Sequence, residues 1–168
     1  MSIKAVIRDD LIYLARIEHD VFGTDAFGVY ILHNYFDDNI FFIKLVLPEN
    51  NSSEKIIGFS IVTKLAENAI RKNPLKKLNL SNTTAANIDN FLIIKKYWGK
   101  GYGKMMLNHI ITKLSDLKYS RVLLEVNTHN VRGIKLYKSQ GFRIIGKKKA
   151  YYQSGADAFV MMKDICYL

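Results

Sequence analysis

Three glycines at alternate positions make residues 98–104 the segment of this sequence most suited to chemistry. Gly99, Gly101 and Gly103 follow an apolar run at residues 91–94 and precede residues 105–117, where apolar side chains recur at helical spacing. The predicted order is strand, glycine-rich turn and helix start. Because the first N–H groups of a helix lack intrahelical partners, such a turn is suited to an anion, and to a pyrophosphate in particular.

Four lysines surround this turn. Lys95, Lys96, Lys100 and Lys104 add positive charge, which favours a phosphate ligand. The same residues are typical of a tight turn with solvated lysines, and this stretch by itself leaves both interpretations open. A Walker-type site is excluded because no Gly-Lys-Ser/Thr closes the turn. A Rossmann dinucleotide site fits poorly because the strand, turn and helix lie far into the chain.

The composition predicts one globular domain with an ordinary core. The chain has 168 residues, of which 49% are hydrophobic and 24% charged. Its one cysteine, Cys166, excludes an internal disulfide and a cysteine-rich metal site and favours an intracellular, cytoplasmic location. No apolar run approaches the roughly 20 residues that a membrane helix requires, and we therefore expect no membrane insertion. We also expect no metal site.

The chain is strongly basic, with 25 Lys and Arg residues, 15 Asp and Glu residues and a formal net charge of +10. This charge is consistent with a solubilising surface, and equally with an anionic ligand, a ribosomal surface or an acidic substrate. Residues 64–80 alone carry five basic residues and one acidic residue. We interpret that segment as a solvated loop or as a docking or gating element.

The elements that position the glycine turn follow the order β-α-α-β-β-β-α-β-α-β-β. Alternating and helical apolar patterns, separated by turn-forming residues, define them. This order predicts an α/β sandwich with a mixed sheet. The predicted strands cover about residues 2–8, 40–47, 55–65, 86–94, 121–127, 142–152 and 156–164. The predicted helices cover about residues 10–22, 26–36, 105–117 and 131–140, and Asn130 is the predicted cap of the last one.

Three motifs resemble the GCN5-related N-acetyltransferase (GNAT) superfamily, in its RimI-like branch. Residues 98–103 match the acyl-CoA motif Arg/Gln-x-x-Gly-x-Gly/Ala, with Trp98 in place of Arg or Gln. Residues 124–130, followed by Leu-Tyr and Gly-Phe at 136–137 and 141–142, match the branch's second motif, and Tyr151-Tyr152 before Asp-Ala matches its C-terminal turn. The resemblance implies one GNAT domain over residues 1–168, with a twisted, mixed, mostly antiparallel sheet of about seven strands and about four helices.

The resemblance also implies a cofactor and the residues that bind it. The cofactor is acetyl-CoA, and coenzyme A is released as product. The glycine-turn amides would bind the pyrophosphate and the strand before the turn would pair with the pantetheine arm. In the family, an amide at the position of Ile93 also polarises the thioester carbonyl. The implied cofactor-binding residues are Phe91, Leu92, Ile93, Gly99, Lys100, Gly101, Tyr102, Gly103, Lys104, Asn130 and Tyr137.

Two residues are candidates for proton transfer. Glu125 interrupts an apolar strand, where a carboxylate is costly unless it is paired or functional, and a salt bridge to a nearby lysine is the structural alternative. The family places its general base, acting through water, at this position. Tyr137 is the implied general acid for the leaving thiolate. On the residues alone, we favour a core-facing helix aromatic as the explanation of Tyr137, because Val131, Ile134 and Tyr137 share one stripe of the helix.

The implied activity is N-α-acetylation of a protein or peptide N-terminus by direct attack on the thioester. A free α-amine titrates near 8 and a lysine near 10.4, so supplying neutral lysine at pH 7 costs roughly 3–4 kcal/mol more. Candidate substrate-binding residues are Phe22 and Phe27, between the first two helices, and Tyr151 and Tyr152 in the closing hairpin. The alternatives are a lysine, polyamine or other small-amine acetyltransferase and, from the charge, an RNA- or ribosome-binding module. We expect ribosome proximity and a monomer or weak dimer.

Overall fold

The computed structural model describes residues 1–49, 53–65 and 84–165. Most of the basic segment 64–80, the middle of the loop between the second and third strands, and Cys166 therefore lie outside the described residues. The strands are β1 Ser2–Ala5, β2 Phe41–Pro48, β3 Glu54–Lys64, β4 Ala85–Ile93, β5 Arg121–Asn127, β6 Arg143–Lys148 and β7 Ala158–Asp164. The helices are α1 Leu11–Phe22, α2 Gly28–Asp37, α3 Tyr102–Asp116 and α4 Val131–Ser139.

The seven strands form one sheet in the order β1-β2-β3-β4-β5-β7-β6. Strand β4 pairs with β5 in parallel, whereas β1–β2, β2–β3, β5–β7 and β6–β7 are antiparallel. Helix α3 is the crossover that a parallel β4–β5 pair requires. The predicted α/β class is confirmed, with a mixed, mostly antiparallel sheet of seven strands and four helices among the described residues.

The chain divides into two compact units. The first comprises Met1–Thr63 and Asp89–Met106, and the second comprises Lys64–Ile88 and Leu107–Leu168. In the first unit, α1 and α2 bury an apolar stripe on strands β2, β3 and β4. That core consists of Val6, Leu11, Leu14, Ile17, Leu32, Phe42, Phe59, Ile61 and Leu92. The single domain over residues 1–168 stays a prediction.

The core of the second unit includes an apolar face on β4, β5 and β7. Ala85, Leu123, Val160 and Met162 are buried there and pack together. Because side chains alternate along a strand, Glu125 continues the row begun by Leu123, and it is paired in register with Val160. This carboxylate therefore lies at the point where the apolar face ends. No helix in the described part of the chain is long and apolar enough to cross a membrane.

Three predicted boundaries were wrong by three residues or more, and each has a local cause. Strand β1 ends at Ala5, not residue 8, because a 3₁₀ turn at Arg8–Asp10 follows, with the Ile7 N–H donating to Asp10. Helix α3 begins at Tyr102, three residues earlier than predicted, because the Met105 N–H already bonds to the Gly101 carbonyl. Strand β6 ends at Lys148, so Tyr151 and Tyr152 belong to a loop.

Candidate active site

The glycine turn of the first unit is open and conformationally demanding. Gly99 and Gly101 have φ values of +78° and +83°, which other residues rarely adopt, and a Cβ at either position would meet nothing within 4 Å. The first intrahelical hydrogen bond of α3 runs from Met105 N–H to Gly101 at 3.0 Å. The amides of residues 102–104, Tyr102 to Lys104, precede that bond and form the helix's first-turn donors. Lys100 and Lys104 are exposed beside them.

Trp98 ties the turn to the end of β4. Its indole Nε1 donates to the Ile93 carbonyl at 2.5 Å, and its backbone N–H donates to the Lys95 carbonyl at 3.0 Å. Leu92 and Ile93 are buried, and Phe91 is half-buried. The indole N–H thus links the proposed pyrophosphate turn to the strand segment predicted to contact the pantetheine, and the backbone N–H closes the short 3₁₀ turn between them.

A buried carboxyl group that was not predicted from the sequence, Glu18, joins helix α1 to the start of α2 and to strand β4 in the first unit. Glu18 in α1 has no exposed surface. It accepts hydrogen bonds from Asn90 Nδ2 at 2.5 Å and from the Gly28 N–H at 3.2 Å. Burial raises the pKa of Glu18, against the opposing effect of hydrogen bonds from the Phe27 and Gly28 backbone and from Asn90. Glu18 thereby anchors the turn between α1 and α2.

That turn carries the two predicted substrate-binding phenylalanines. Phe22 ends α1, and Phe27 precedes α2 with its ring stacked on Tyr35 at a centroid distance of 5.5 Å. Both side chains are partly buried against the core of the first unit. Their packing fixes where they lie within this unit, and their contact with a substrate stays a prediction.

Glu125 of the second unit is ion-paired and partly accessible. Lys148 Nζ donates to Oε1 at 2.7 Å, and Asn87 Nδ2 lies 3.5 Å from Oε2, at the outer limit of a hydrogen bond. The Glu125 side chain is 14% exposed and that of Lys148 is 31% exposed. The salt bridge considered as the structural alternative is therefore present, and Glu125 is paired with Lys148 in this structure.

Three of the four predicted site tyrosines, Tyr137, Tyr151 and Tyr152, belong to the same unit as Glu125. Tyr137 on α4 is 7% exposed, and its ring lies 5.8 Å from that of Phe142. Burial, and secondarily Tyr152, raise the pKa of Tyr137, so its phenol keeps its proton at neutral pH. Tyr151 and Tyr152 stack edge to face at 5.1 Å. Lys148 lies 4.8 Å from the Tyr151 ring and thus joins the tyrosine loop to Glu125.

Asn130 caps α4, as its position in the sequence predicts. Its Oδ1 accepts the Gly133 N–H at 2.9 Å. A Cβ on Gly133 would approach the Asn130 side chain to 2.7 Å, which explains the glycine at this position. Asn130 is therefore engaged by its own helix, and a further contact with pantetheine stays a prediction.

Some of the residues missed at the sequence level left a signal, and others did not. Glu18 follows Leu11 and Leu14 at helical spacing, so its burial was readable from the apolar stripe of α1. Lys148 is the middle of three consecutive lysines, and only strand register distinguishes it from its neighbours. Asn90, the partner of Glu18, lies 72 positions from it in the sequence, and no local pattern predicted this contact.

Comparison with known proteins identifies the family. The model of the Acetyltransferase (GNAT) family matches residues 10–142. The chain is 39% identical over 69 residues to the N-alpha-acetyltransferase RimI of Mycobacterium tuberculosis, covering 40% of this chain and 42% of that protein. It is also 39% identical over 61 residues to the spermine/spermidine N(1)-acetyltransferase of Bacillus subtilis, covering 36% of this chain and 40% of that protein. These matches thus span about two fifths of each relative.

The fold is shared with a solved structure across nearly the whole chain. Arabidopsis thaliana NAA60 in complex with a bisubstrate analogue superposes with a TM-score of 0.82 at 21% identity, covering 98% of this chain and 99% of that one. At this level of identity the likeness concerns the fold alone. The family match spans well over half of the chain and agrees with the predicted resemblance. The chain belongs to the Acetyltransferase (GNAT) family.

Proposed function

We propose that this protein is an acetyl-CoA-dependent N-α-acetyltransferase that acts on protein or peptide N-termini. The observation that carries the proposal is Glu125, a partly accessible carboxylate at the end of an apolar face, joined through Lys148 to the Tyr151-Tyr152 loop. This arrangement supplies a proton acceptor next to a loop with aromatic rings and hydroxyl groups. Similarity to N-alpha-acetyltransferase RimI supports the same choice.

The residues of the first unit fit an acyl-CoA cofactor. Gly99 and Gly101 leave open space at the turn, and the first-turn amides of α3 are suited to a pyrophosphate. Lys100 and Lys104 are exposed and add charge for a phosphate group. When bound, acetyl-CoA would supply an acetyl thioester. Phe91, Leu92 and Ile93 would position its pantetheine arm, and the Ile93 amide would polarise the thioester carbonyl.

Two side chains of the second unit would move the protons. Glu125 would accept a proton from the substrate amine through water, leaving the amine neutral for attack. Tyr137 would donate a proton to the departing thiolate. Its raised pKa keeps the donor protonated before the reaction. Tyr151 and Tyr152 would hold the substrate backbone, and Phe22 and Phe27 would contact its first side chain.

Acetylation of a polyamine or lysine is the second candidate activity. It is favoured by the similarity to a spermine/spermidine acetyltransferase, whose identity to this chain equals that of the RimI relative over a shorter span. The two activities differ in the charge of the acceptor, since polyamines and lysines arrive largely as cations at neutral pH. Ribosome proximity and a monomeric or weakly dimeric state stay predictions.

A direct test uses synthetic peptides with a free N-terminus and one internal lysine. We expect acetyl-CoA and the wild-type protein to add one acetyl group to the α-amine, located by fragment mass spectrometry. The same peptides with a blocked N-terminus serve as the control and should not be modified. Acetyl groups found only on lysine side chains, or only on spermidine added to the mixture, would contradict N-α-acetylation and support the second activity.

A further inference from the structure

Lys148 is the cation that contacts the candidate base. Its ammonium lies 2.7 Å from Glu125 Oε1 and 4.8 Å from the centre of the Tyr151 ring. The strand register explains this contact, because Glu125 is aligned with Val160 and Val160 with Gly146. Lys148 is two residues beyond Gly146 and therefore projects from the same face of the sheet as Glu125.

The neighbouring lysines have different partners. Lys147 pairs with Asp157 at 2.6 Å, and the charge of Lys149 also acts on Asp157. Asn87, which also lies beside Glu125, is neutral. The Glu125 carboxylate and the Lys148 ammonium together carry no net charge.

We propose that Lys148 is a specificity-determining residue that disfavours cationic acceptors at Glu125. The inference rests on the proposed N-α-acetyltransferase function. A polyamine or a lysine side chain approaches as an ammonium and must displace Lys148 or lie beside it, where like charges repel. A substrate α-amine has a much larger neutral fraction at the same pH and meets less repulsion. Lys148 also contacts Tyr151, so the same side chain borders the loop proposed to hold the peptide backbone.

The test compares kcat/KM for two acceptors at one pH and ionic strength. The acceptors are spermidine and a lysine-free peptide with a free N-terminus. The variants are Lys148→Met, which removes the charge and keeps the alkyl chain, and Lys148→Arg, which keeps the charge. Lys149→Met is the matched control because it removes the same charge from an exposed neighbouring position. For partly exposed charges, we expect the spermidine-to-peptide ratio to rise about tenfold in Lys148→Met.

Lys148→Arg and Lys149→Met should leave that ratio within about twofold of wild type, because both variants keep a positive charge at position 148. The tenfold rise expected for Lys148→Met corresponds to about 1.4 kcal/mol. Lys148→Gln repeats the charge removal if Lys148→Met does not fold. An unchanged ratio in the neutral variants, or an equal rise in Lys149→Met, would overturn the inference alone. A wild-type protein that acetylates spermidine and not the peptide would overturn both the inference and the proposed function.

Discussion

Two glutamates on apolar faces, Glu18 in the first unit and Glu125 in the second, have different surroundings. Glu18 has no exposed surface and is held by an amide side chain and backbone N–H groups, all of them neutral donors. Glu125 is partly exposed and held by the ammonium of Lys148. A carboxyl group enclosed by fixed neutral donors cannot exchange partners, whereas one paired with a flexible lysine at the surface can. These surroundings suit Glu18 to a structural role and are compatible with the role in proton transfer proposed for Glu125.

The largest expected effect is the loss of activity in Glu125→Gln. Removing the proton acceptor should lower kcat/KM for the peptide by at least about 100-fold, the usual contribution of general acid–base catalysis. Thermal unfolding should stay close to wild type, because the amide retains the shape of the side chain. Glu54→Gln, at an exposed glutamate of the first unit, is the control. Full activity in Glu125→Gln would contradict the proposal that Glu125, unlike Glu18, is the proton acceptor.

Glu18→Ala should affect stability more than chemistry. The substitution leaves the Asn90 amide and the Gly28 N–H buried without their acceptor and opens a cavity, so we expect a loss of about 3 kcal/mol in the free energy of unfolding. Chemical denaturation measures it. Glu18→Gln keeps the volume and one acceptor and should lose less. A stability equal to wild type in Glu18→Ala would contradict the anchoring role.

Tyr137→Phe tests the role of general acid proposed for Tyr137 in the second unit. The ring and its packing on Phe142 are retained while the phenolic proton is lost. We expect kcat to fall roughly 10- to 100-fold with little change in the KM for peptide. The measurement is steady-state kinetics with both substrates varied. A normal kcat would leave Tyr137 as a core aromatic only.

The pH dependence of stability tests the burial of the Glu18 carboxyl group. Burial raises the pKa of Glu18 above its ordinary value of 4.5. The folded protein then binds the proton where the unfolded chain has released it, so this contribution is complete below about pH 4.5 and is lost as pH rises through the raised pKa. Glu18→Gln does not titrate. The stability of wild type relative to this variant should therefore fall with rising pH in urea denaturation, and a rise would contradict the burial effect.

The smallest expected effect is that of Trp98→Phe in the first unit. This change removes the indole N–H that donates to Ile93 and keeps an aromatic ring. A neutral hydrogen bond contributes about 0.5–1.5 kcal/mol, so we expect a roughly three- to tenfold rise in the KM for acetyl-CoA. Trp98→Arg introduces the arginine that the acyl-CoA motif has at this position, and its KM for acetyl-CoA tests whether tryptophan is required there. An unchanged KM in Trp98→Phe would show that the bond does not position the turn.

The sequence by itself determined those features that depend on near neighbours. Helical and alternating apolar spacing predicted the element order and the class of sheet, and Asn130 was correctly read as a helix cap. The glycine turn and the unusual carboxylate at Glu125 were also visible, because a backbone with positive φ and a charge within an apolar strand are local properties.

The tertiary structure decided which distant groups meet. Strand register selected Lys148 from three consecutive lysines as the partner of Glu125. Packing of α1 on β4 brought Glu18 to Asn90, 72 positions away. The physical reason is that periodicity and capping depend on residues a few positions apart, whereas partner choice depends on how separate elements align when they bury their apolar faces.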